Sequence, residues 1–271
     1  MQKRKVSDIQ QLKKQGKKIT ALTAYDYGLA KILDNALIDI ILVGDSMGNV
    51  FYGKQTTLEV SMDMVIHHTQ AVATGAKNYS MVIADMPFGS FGISKDQTVA
   101  NAVKLMKIGH AEAVKLEGAS KQRLTEIKAI IDVGIPVLGH IGLLPQSLHK
   151  IGGYRVQGKE TSFYDETELI KEAEALQKAG CFAIILEAMK AETAKKITKK
   201  IDIPTIGIGA GNACDGQILV SYDMLGYLSG HKPKFVKQYA HLQETIKSAI
   251  EKYIKEVKDG SFPSKEYSYE D

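Results

Sequence analysis

The fold of this chain is decided by residues 166–187, which read ETELIKEAEALQKAGCFAIILE. Apolar residues recur at helical spacing between Glu166 and Ala179, which predicts an amphipathic helix. Gly180 follows as a helix stop, and Phe182–Glu187 is a short run that is apolar on both faces until its last residue. Helix, glycine and doubly buried strand, in this order, are typical of a parallel α/β fold.

The same unit recurs along the chain. Short, mostly apolar runs predict strands at Ile19–Tyr25, Ile38–Gly44, Ser80–Asp85, Ala113–Glu117, Val137–Ile141, Phe182–Glu187, Thr205–Gly209 and Gln217–Val220. Helix-length segments lie between them at Met62–Ala76, Lys95–Ile108, Gln122–Asp132, Glu166–Ala179 and Ala191–Lys200. This number of strands favours a closed (β/α)8 TIM barrel of parallel strands over the alternative, an open doubly wound sheet.

The chain has 271 residues, a length that suits one barrel domain. We expect a single domain over residues 1–271, with the barrel core at about 19–226 and a helical arm before it. Beyond the eighth strand an apolar stripe predicts a helix at about 242–257, and residues 260–271 are expected to fray. The pattern leaves open whether this helix completes its own barrel or packs on a neighbouring copy.

Composition places the chain among ordinary globular proteins. Hydrophobic residues make up 44% and charged residues 24%, which excludes an intrinsically disordered chain. The net charge of +4 is a mild excess of basic residues, too small to indicate nucleic-acid binding. Basic residues cluster before residue 19 and face only Asp8, but no aromatic residue lies among them. We therefore expect a solvated helix face there, and a nucleic-acid-binding arm is the distant alternative.

The cysteines and the apolar runs of the sequence indicate the cellular compartment. Cys181 and Cys214 are too few and too far apart for a disulfide framework or a zinc site. No apolar run approaches the ~20 residues of a membrane span, and the N-terminus lacks the apolar core of a signal peptide. We expect a cytoplasmic protein with no membrane partner.

Ionisable side chains gather where the predicted strands end. They are Asp26, Asp45, Asp85, Lys115, Glu117, His140 and Glu187. Enzymes on this barrel build their sites from the C-terminal ends of strands, so these groups are expected at one mouth. The alternative for each is a structural pairing with an outer loop, and Asp26 fits that alternative best.

The residue types at this mouth indicate a hard cation. Mg²⁺ takes one or two carboxylates together with water and substrate oxygens, whereas His140 alone makes no zinc site. A cation among carboxylates, with one carboxylate left over to remove a proton beside a carbonyl, is a common plan for α-keto acid chemistry. Lys115 and Glu117 are two residues apart on one strand, so their side chains face the same side. There the lysine ammonium would stabilise negative charge that develops on a substrate.

A glycine-rich loop follows the seventh predicted strand. Residues 207–212 read GIGAGN, which fails the dinucleotide pattern because Asn212 stands where glycine is needed. Barrels often bind phosphate after this strand, but the preferred interpretation is a tight turn that lets another ligand approach the backbone.

Several motifs in a fixed order resemble the ketopantoate hydroxymethyltransferase family, also called the 3-methyl-2-oxobutanoate hydroxymethyltransferase family. The motifs are Val43–Gly48 (VGDSMG), Asp85–Phe88 (DMPF), Lys115–Gly118 (KLEG), Gly139–Leu143 (GHIGL), Pro145–Ser147 (PQS), Gly152–Gly158 (GGYRVQG), Ile206–Gly211 (IGIGAG) and Asp215–Gln217 (DGQ). The likeness runs from about Ser7 to Tyr239, and the combination of motifs is highly specific.

The resemblance implies a Mg²⁺-dependent (β/α)8 barrel of the phosphoenolpyruvate/pyruvate superfamily, with one ion per subunit. It implies transfer of a one-carbon unit from 5,10-methylenetetrahydrofolate to 3-methyl-2-oxobutanoate, giving 2-dehydropantoate on the way to pantothenate and coenzyme A. Members of the family are commonly homodecamers. The mild basic surplus is compatible with an anionic keto acid and an anionic folate, which it would help to steer.

By matching motif, the resemblance also implies roles for the residues at the mouth. Asp45, Asp85 and Glu117 resemble the metal site, and Glu187 resembles the base that takes the C3 proton. The implied substrate contacts are Asp45, Ser46, Asp85, Lys115 and His140.

The chain departs from the family pattern beside these residues. Ala188–Lys190 stands where Cys-Val-Pro often follows the base, which bears on the local shape around Glu187. Asn49 and Glu59–Ser61 replace the commoner Met and Pro-Val-Thr beside the metal loop, where we expect them to tune packing.

The nearer rival is another Mg²⁺ barrel of the same superfamily, a carbon–carbon lyase of the isocitrate-lyase or phosphonopyruvate type. Those enzymes generally use a reactive cysteine in a mobile loop. Neither Cys181 nor Cys214 follows the fourth predicted strand, where such a cysteine is expected. Product analysis with and without methylenetetrahydrofolate separates the two functions.

Overall fold

The computed structural model describes residues 2–153, 155–228, 230 and 232–269, and within them eight parallel strands close into a barrel. The strands are β1 Ile19–Thr23, β2 Ile40–Val43, β3 Met81–Asp85, β4 Ala113–Glu117, β5 Val137–Gly142, β6 Ala183–Glu187, β7 Thr205–Ile208 and β8 Gly216–Leu219. The strands pair in sequence order, and β1 closes the ring by pairing with β8. The predicted (β/α)8 barrel is therefore confirmed.

Helices surround the barrel and connect its strands. In the described chain they are α1 Val6–Lys14, α2 Tyr27–Asn35, α3 Met47–Val50, α4 Met62–Gly75, α5 Lys95–Lys107, α6 Lys121–Asp132, α7 Leu148–Ile151, α8 Glu166–Ala179, α9 Ala191–Lys200, α10 Ser221–Met224 and α11 Leu242–Asp259. Short 3₁₀ turns lie at Thr57–Glu59, Pro145–Ser147 and Lys265–Tyr267. The helices α4, α5, α6 and α8 begin after a serine or aspartate whose side chain accepts a backbone N–H of the first turn.

The helix α2 was not predicted from the sequence. Asp26 caps this helix, because its Oδ1 accepts the N–H of Leu29 at 2.9 Å, so Asp26 has the structural role expected for it. The chain then turns through Leu37, whose φ is +64°. That turn delays β2, which begins at Ile40 rather than at the predicted Ile38.

The helix α1 packs on the N-terminal end of the barrel. Ile9 and Leu12 belong to the same buried cluster as the side chains that fill the barrel interior, such as Ile40 and Ile83. Burial of a leucine or isoleucine side chain stabilises a fold by roughly 1.5–3 kcal/mol. The predicted N-terminal arm is thus part of the barrel's core.

Some basic residues of this arm bind the barrel, whereas Lys5, Lys14 and Lys17 are exposed, so the expected solvated face is present only in part. Lys3 donates to two backbone carbonyls, and Arg4 pairs with Asp39 at 2.9 Å. Lys13 pairs with Asp215 at 3.0 Å and donates to three further backbone carbonyls. Charge patterning alone cannot show which carbonyl groups a fold leaves for these cations.

The described chain separates into two compact units, one up to Val220 and one from Ser221 onward. The first contains the whole barrel, and the predicted barrel core ended a few residues later, at about 226. The second contains α11, which was predicted at 242–257 and extends to Asp259. No residue of α11 is buried.

The C-terminal segment holds more structure than the expected fraying implies. The N–H of Phe262 donates to the carbonyl of Glu256 at 3.1 Å. The Phe262 ring packs between Tyr253 and Tyr267, with centroid distances of 5.7 and 5.9 Å. Glu270 and Asp271 lie outside the described residues.

Cys181 and Cys214 are both free and buried, in agreement with the prediction that they form no disulfide. Among the helices described here, none is both long and apolar enough to cross a bilayer.

Candidate active site

The carboxyl ends of β2 to β6 bring the predicted ionisable groups together. Asp45 follows β2, and Asp85 ends β3. Strand pairing sets Asp85 beside Lys115 and Glu117 beside His140. Glu187, the last residue of β6, completes the set. Apart from Glu187, which is partly exposed, all of these side chains are buried.

An ion pair anchors one side of the site. Lys115 Nζ binds Asp85 Oδ1, and Asp85 Oδ2 accepts the N–H of Asp45 at 3.0 Å. Burial lowers the pKa of Lys115, but the carboxylates of Asp85, Glu117 and Asp45 outweigh it and raise that pKa. Lys115 therefore remains a cation at every physiological pH.

The negative charge at the site exceeds the positive charge that faces it. Burial, together with repulsion from Asp85 and Glu117, raises the pKa of Asp45 to about 8, although Lys115 acts in the opposite direction. A divalent cation would remove this penalty, and carboxylate oxygens are the ligands that Mg²⁺ prefers. In the described part of the chain no three acidic, His or Cys side chains form a ready-made cage. Mg²⁺ does not need one, because water and substrate supply its remaining ligands.

Gln146 joins two of the carboxylates and was missed as a site residue, although its motif was noted. Its side-chain Nε2 donates to Asp45 Oδ2 at 2.8 Å and to the Met86 carbonyl at 3.0 Å. Its backbone N–H donates to Glu117 Oε2 at 3.1 Å. The only available signal was its place just after β5, in the 3₁₀ turn Pro145–Ser147.

His140 lies between two carboxylates. Its Nδ1 is 3.5 Å from Glu117 Oε1, and its Nε2 is 3.1 Å from Glu187 Oε2. Both are ion-pair distances without hydrogen-bond alignment. Burial lowers the pKa of His140, but contacts with Glu117 and Glu187 raise it to about 9. The ring is then an imidazolium at neutral pH, and it holds the pKa of the buried Glu117 carboxyl below its usual range.

Glu187 is the acidic side chain of the site that remains open, with 18% of its side chain exposed. Its backbone is fixed because its carbonyl accepts the N–H of Leu143 at 2.9 Å. Gly142, with φ +101°, faces that carbonyl so closely that an added Cβ would clash with it. Glu187 is therefore rigidly held yet accessible, as a proton acceptor must be.

The departure from the family pattern after Glu187 is accommodated by the backbone. Ala188 adopts φ +43°, a left-handed conformation that is unusual for a residue other than glycine. Its N–H donates to the Ile208 carbonyl and its carbonyl accepts the N–H of Gln157, both at 2.8 Å. Paired on both sides, this segment keeps the end of β6 in place.

Ser46 and Arg123 contact the site from its margins. Ser46 follows Asp45 in the chain. Its Oγ lies 2.9 Å from the hydroxyl oxygen of the buried Tyr25. Arg123 Nε donates to the carbonyl of Glu117 at 2.8 Å, and its guanidinium stacks 3.8 Å above the ring of Phe91. Neither Tyr25 nor Arg123 was predicted as a site residue, because both contacts depend on loop packing.

The glycine-rich loop after β7 is explained by chain packing. Gly211 has φ +81°, and a Cβ at this position would lie 2.6 Å from the Ala191 Cβ. The predicted tight turn is present, and the start of α9 requires its glycine. The approach of a ligand to this loop stays a prediction. In the GGYRVQG motif, Tyr154 lies outside the described residues.

Comparison with known proteins agrees with the motifs. The family model described as "Ketopantoate hydroxymethyltransferase" matches residues 3–265. A curated 3-methyl-2-oxobutanoate hydroxymethyltransferase from Thermoanaerobacter sp. (strain X514) is 52% identical over 261 residues, covering 96% of this chain and 94% of the relative. One of the same name from Enterococcus faecalis (strain ATCC 700802 / V583) is 52% identical over 257 residues, covering 95% and 92%.

Solved structures share the fold at low sequence identity. Phosphonopyruvate hydrolase in complex with oxalate and Mg²⁺ is 14% identical, with a TM-score of 0.63 and coverage of 97% of this chain and 93% of that one. 2,3-Dimethylmalate lyase, a PEP mutase/isocitrate lyase superfamily member, is 16% identical, with a TM-score of 0.61 and coverage of 97% and 88%. At these identities the likeness concerns the barrel architecture alone.

Proposed function

Because the chain belongs to the ketopantoate hydroxymethyltransferase family, we propose that it transfers a hydroxymethyl group from 5,10-methylenetetrahydrofolate to 3-methyl-2-oxobutanoate. The product would be 2-dehydropantoate, a precursor of pantothenate and coenzyme A. That the chain is a transferase follows from its family. The observation that supports the detailed reaction is one accessible carboxylate, Glu187, beside a buried set of carboxylates and one ammonium.

We assign Asp45, Asp85 and Glu117 to a Mg²⁺ site with one ion per subunit. The excess of buried negative charge supports this assignment, since the raised pKa of Asp45 marks a carboxylate that lacks a compensating cation. When bound, the ion supplies positive charge opposite the oxygen atoms of the keto acid. Gln146 keeps Asp45 and Glu117 in place by donating to both.

Glu187 is the proposed base for the C3 proton of the keto acid. It is anchored through its backbone, and its carboxylate is open to a substrate at the mouth. The His140 imidazolium forms an ion pair with one oxygen of the Glu187 carboxylate. Lys115 is a fixed positive charge that would stabilise the enolate as the proton leaves. We assign the hydroxyl of Ser46, beside Asp45, to the substrate carboxylate.

The overall reaction balances with one water. The C3–H bond breaks, and C3 forms a bond to the methylene carbon as that carbon's bonds to the folate nitrogens break. Water provides the hydroxyl group, and tetrahydrofolate leaves with the protons released. The chain's residues act on the first step, in which a proton moves from C3 to a Glu187 carboxylate oxygen.

Exchange of the C3 proton tests the base assignment without folate. We expect 3-methyl-2-oxobutanoate to exchange its C3 proton for deuterium in the presence of the wild-type protein and Mg²⁺. Glu187→Gln should slow this exchange at least 100-fold, because a general base typically contributes 10²–10⁴-fold. Glu192→Gln, an exposed carboxylate on α9, is the control and should exchange at the wild-type rate. Wild-type exchange by Glu187→Gln would overturn the assignment.

The rival lyase reaction has little support from the cysteines. Burial raises the pKa of Cys181 to about 12, and Cys214 is also buried with a raised pKa. Neither thiol is placed to act as the reactive cysteine of a lyase. Formation of a shorter keto acid without methylenetetrahydrofolate would favour the lyase instead.

We also propose that the protein works as a homodecamer in the cytoplasm. Both proposals rest on the family alone. Light scattering of the purified chain tests the first, since a single barrel of 29.7 kDa is easily separated from ten.

A further inference from the structure

A cavity of about 500 Å³ lies outside the site described above, in the long loop between β5 and β6. Arg155, Lys159 and Phe163 are among the residues that line it. Its volume is in the range of small-molecule sites. No step proposed above uses any of these three side chains.

The cavity is joined to the segment that follows the proposed base. Gln157, which also lines the cavity, pairs in parallel with Met189. Its N–H donates to the Ala188 carbonyl at 2.8 Å, and its carbonyl accepts the N–H of Lys190 at 3.1 Å. Met189 is two residues beyond Glu187, which is roughly 7 Å of extended chain. The cavity loop is therefore bonded directly to the segment that follows Glu187.

The walls of the cavity are fixed by internal hydrogen bonds. The buried Gln157 amide donates to the Arg155 carbonyl at 2.8 Å and accepts the N–H of Tyr164 at 3.1 Å. Ser162 Oγ donates to the Val156 carbonyl at 3.0 Å. Because these hydrogen bonds already order the loop, a ligand that binds there causes only a small further loss of conformational entropy.

The charge of this cavity is opposite to that of the proposed metal site. Arg155 and Lys159 carry positive charge, and within the described chain neither has a carboxylate oxygen within 4 Å. The residue Phe163 is 45% exposed, and Lys150 Nζ lies 5.4 Å from the centroid of its ring. Cations beside an exposed ring suit a ligand that carries carboxylates next to an aromatic group.

We propose that this cavity binds the aryl-glutamate tail of the one-carbon carrier, an inference that rests on the proposed function. Arg155 and Lys159 bind the glutamate carboxylates, and the aryl ring packs on Phe163. The carboxylates of the metal site repel this tail, while the cations attract it. The carrier is thereby oriented with its methylene toward Glu187 and its anionic end away.

Charge removal at the cavity tests the proposal. For the double variant Arg155→Ala/Lys159→Ala we expect the KM for 5,10-methylenetetrahydrofolate to rise 10- to 100-fold with little change in kcat. The loss of two charge-assisted contacts is expected to weaken binding by a factor in this range. Phe163→Ala should raise the same KM several-fold. The matched control is Lys199→Ala/Lys200→Ala, which removes two cations at the last turn of α9, the end remote from the mouth.

A second measurement separates this proposal from the function on which it rests. C3 proton exchange of the keto acid needs no carrier, so the cavity variant should exchange at the rate of the control variant. If its exchange is normal and its KM for the carrier equals the control's within twofold, the cavity assignment is overturned and the proposed function stands. If the wild-type protein neither exchanges the C3 proton nor forms product, the proposed function itself fails.

Discussion

A single amide holds two mutually repelling carboxylates of the site in place. Gln146 donates its side-chain N–H₂ to Asp45 and its backbone N–H to Glu117, both of which are buried. Groups that hydrogen-bond to metal ligands orient them, and the loss of such a group typically lowers metal affinity or activity 10- to 100-fold.

Replacement of this amide should weaken the metal site without removing a proposed ligand. For Gln146→Leu we expect the Mg²⁺ concentration for half-maximal C3 exchange to rise at least 10-fold, because Asp45 loses the hydrogen bond that orients it. Titration of the exchange rate with Mg²⁺ measures this. Gln243→Leu, an exposed glutamine on α11, is the control. An unchanged Mg²⁺ requirement in Gln146→Leu would show that this amide does not position the site.

Ionisable residues at strand ends could be found from the sequence, but their neutral supports could not. Asp45, Asp85 and Glu187 each terminate an apolar run, and the barrel topology then brings them to one mouth. Gln146 and Arg123 act through contacts with residues far along the chain or on another loop. Periodicity and residue type carry no signal for such contacts.

At the scale of elements, the junction of β5 and β6 depends on one glycine. Gly142 has φ +101°, and its missing Cβ leaves room for the Glu187 carbonyl. Gly134 has a similar φ of +89° but has no atom within 4 Å of a built Cβ. An alanine at Gly134 would therefore meet backbone strain alone, whereas an alanine at Gly142 would meet the same strain and a steric clash.

Gly142→Ala should destabilise the protein by about 3 kcal/mol or more, since strain and overpacking add. Gly134→Ala should cost only about 1–2 kcal/mol, because strain acts alone there. Chemical denaturation of both variants measures the difference. Equal losses of stability would contradict the close approach of Gly142 to Glu187.

The helix α8 carries a pH-sensitive group. Burial and repulsion from Glu168 raise the pKa of Glu172 to about 7, although Lys150 acts against them. Between the ordinary pKa of about 4.5 and this raised value, the native state binds the proton more tightly than the unfolded state does. Stability that is present below pH 4.5 is therefore lost as the pH rises toward 7.

Glu172→Gln should flatten this part of the pH profile. We expect the variant to be more stable than the wild type at pH 8, by on the order of 1–2 kcal/mol after allowance for partial exposure. At pH 4 the two should be equal within error. Urea unfolding between pH 4 and 8 makes the comparison. A wild-type profile that rises through this window, or a variant with an unchanged slope, would refute the shift.

Long elements with a clear apolar period were predictable, and short ones were not. The helix α8 was predicted at its observed bounds, because the capping residue Asp165, the helical spacing of apolar residues and the terminal Gly180 all indicate the same bounds. The helix α2 was missed because its start at Asp26 coincides with the end of a run that was interpreted as strand. Its cap is visible only once the backbone is placed.

At the scale of the whole molecule, one lysine joins α1 to the base of the barrel. Lys13 donates to three carbonyls in the last turn of α9 and in the link from α9 to β7, and it pairs with Asp215 just before β8. The sequence showed a basic segment, but only the closed barrel shows that its cations bind backbone carbonyls. This link lies at the end of the barrel opposite to the proposed active site.

Lys13→Met should lower the free energy of unfolding by about 2–3 kcal/mol, since it leaves partly buried carbonyls and a carboxylate without a partner. Activity per folded molecule should not change. Lys14→Met, an exposed neighbour on the same helix, should be neutral. Thermal unfolding together with C3 exchange measures both effects. Lost activity in fully folded Lys13→Met would show that the two ends of the barrel are coupled.

We propose that this barrel joins a folate-borne carbon to a branched keto acid and that the reaction needs a divalent cation. The most direct measurement follows 3-methyl-2-oxobutanoate with [¹³C]methylene-labelled 5,10-methylenetetrahydrofolate, with Mg²⁺ and with a chelator. We predict that the label appears in the hydroxymethyl carbon of 2-dehydropantoate only when Mg²⁺ is present. Unlabelled cleavage products, or no labelled product with Mg²⁺, would show that the proposed reaction is wrong.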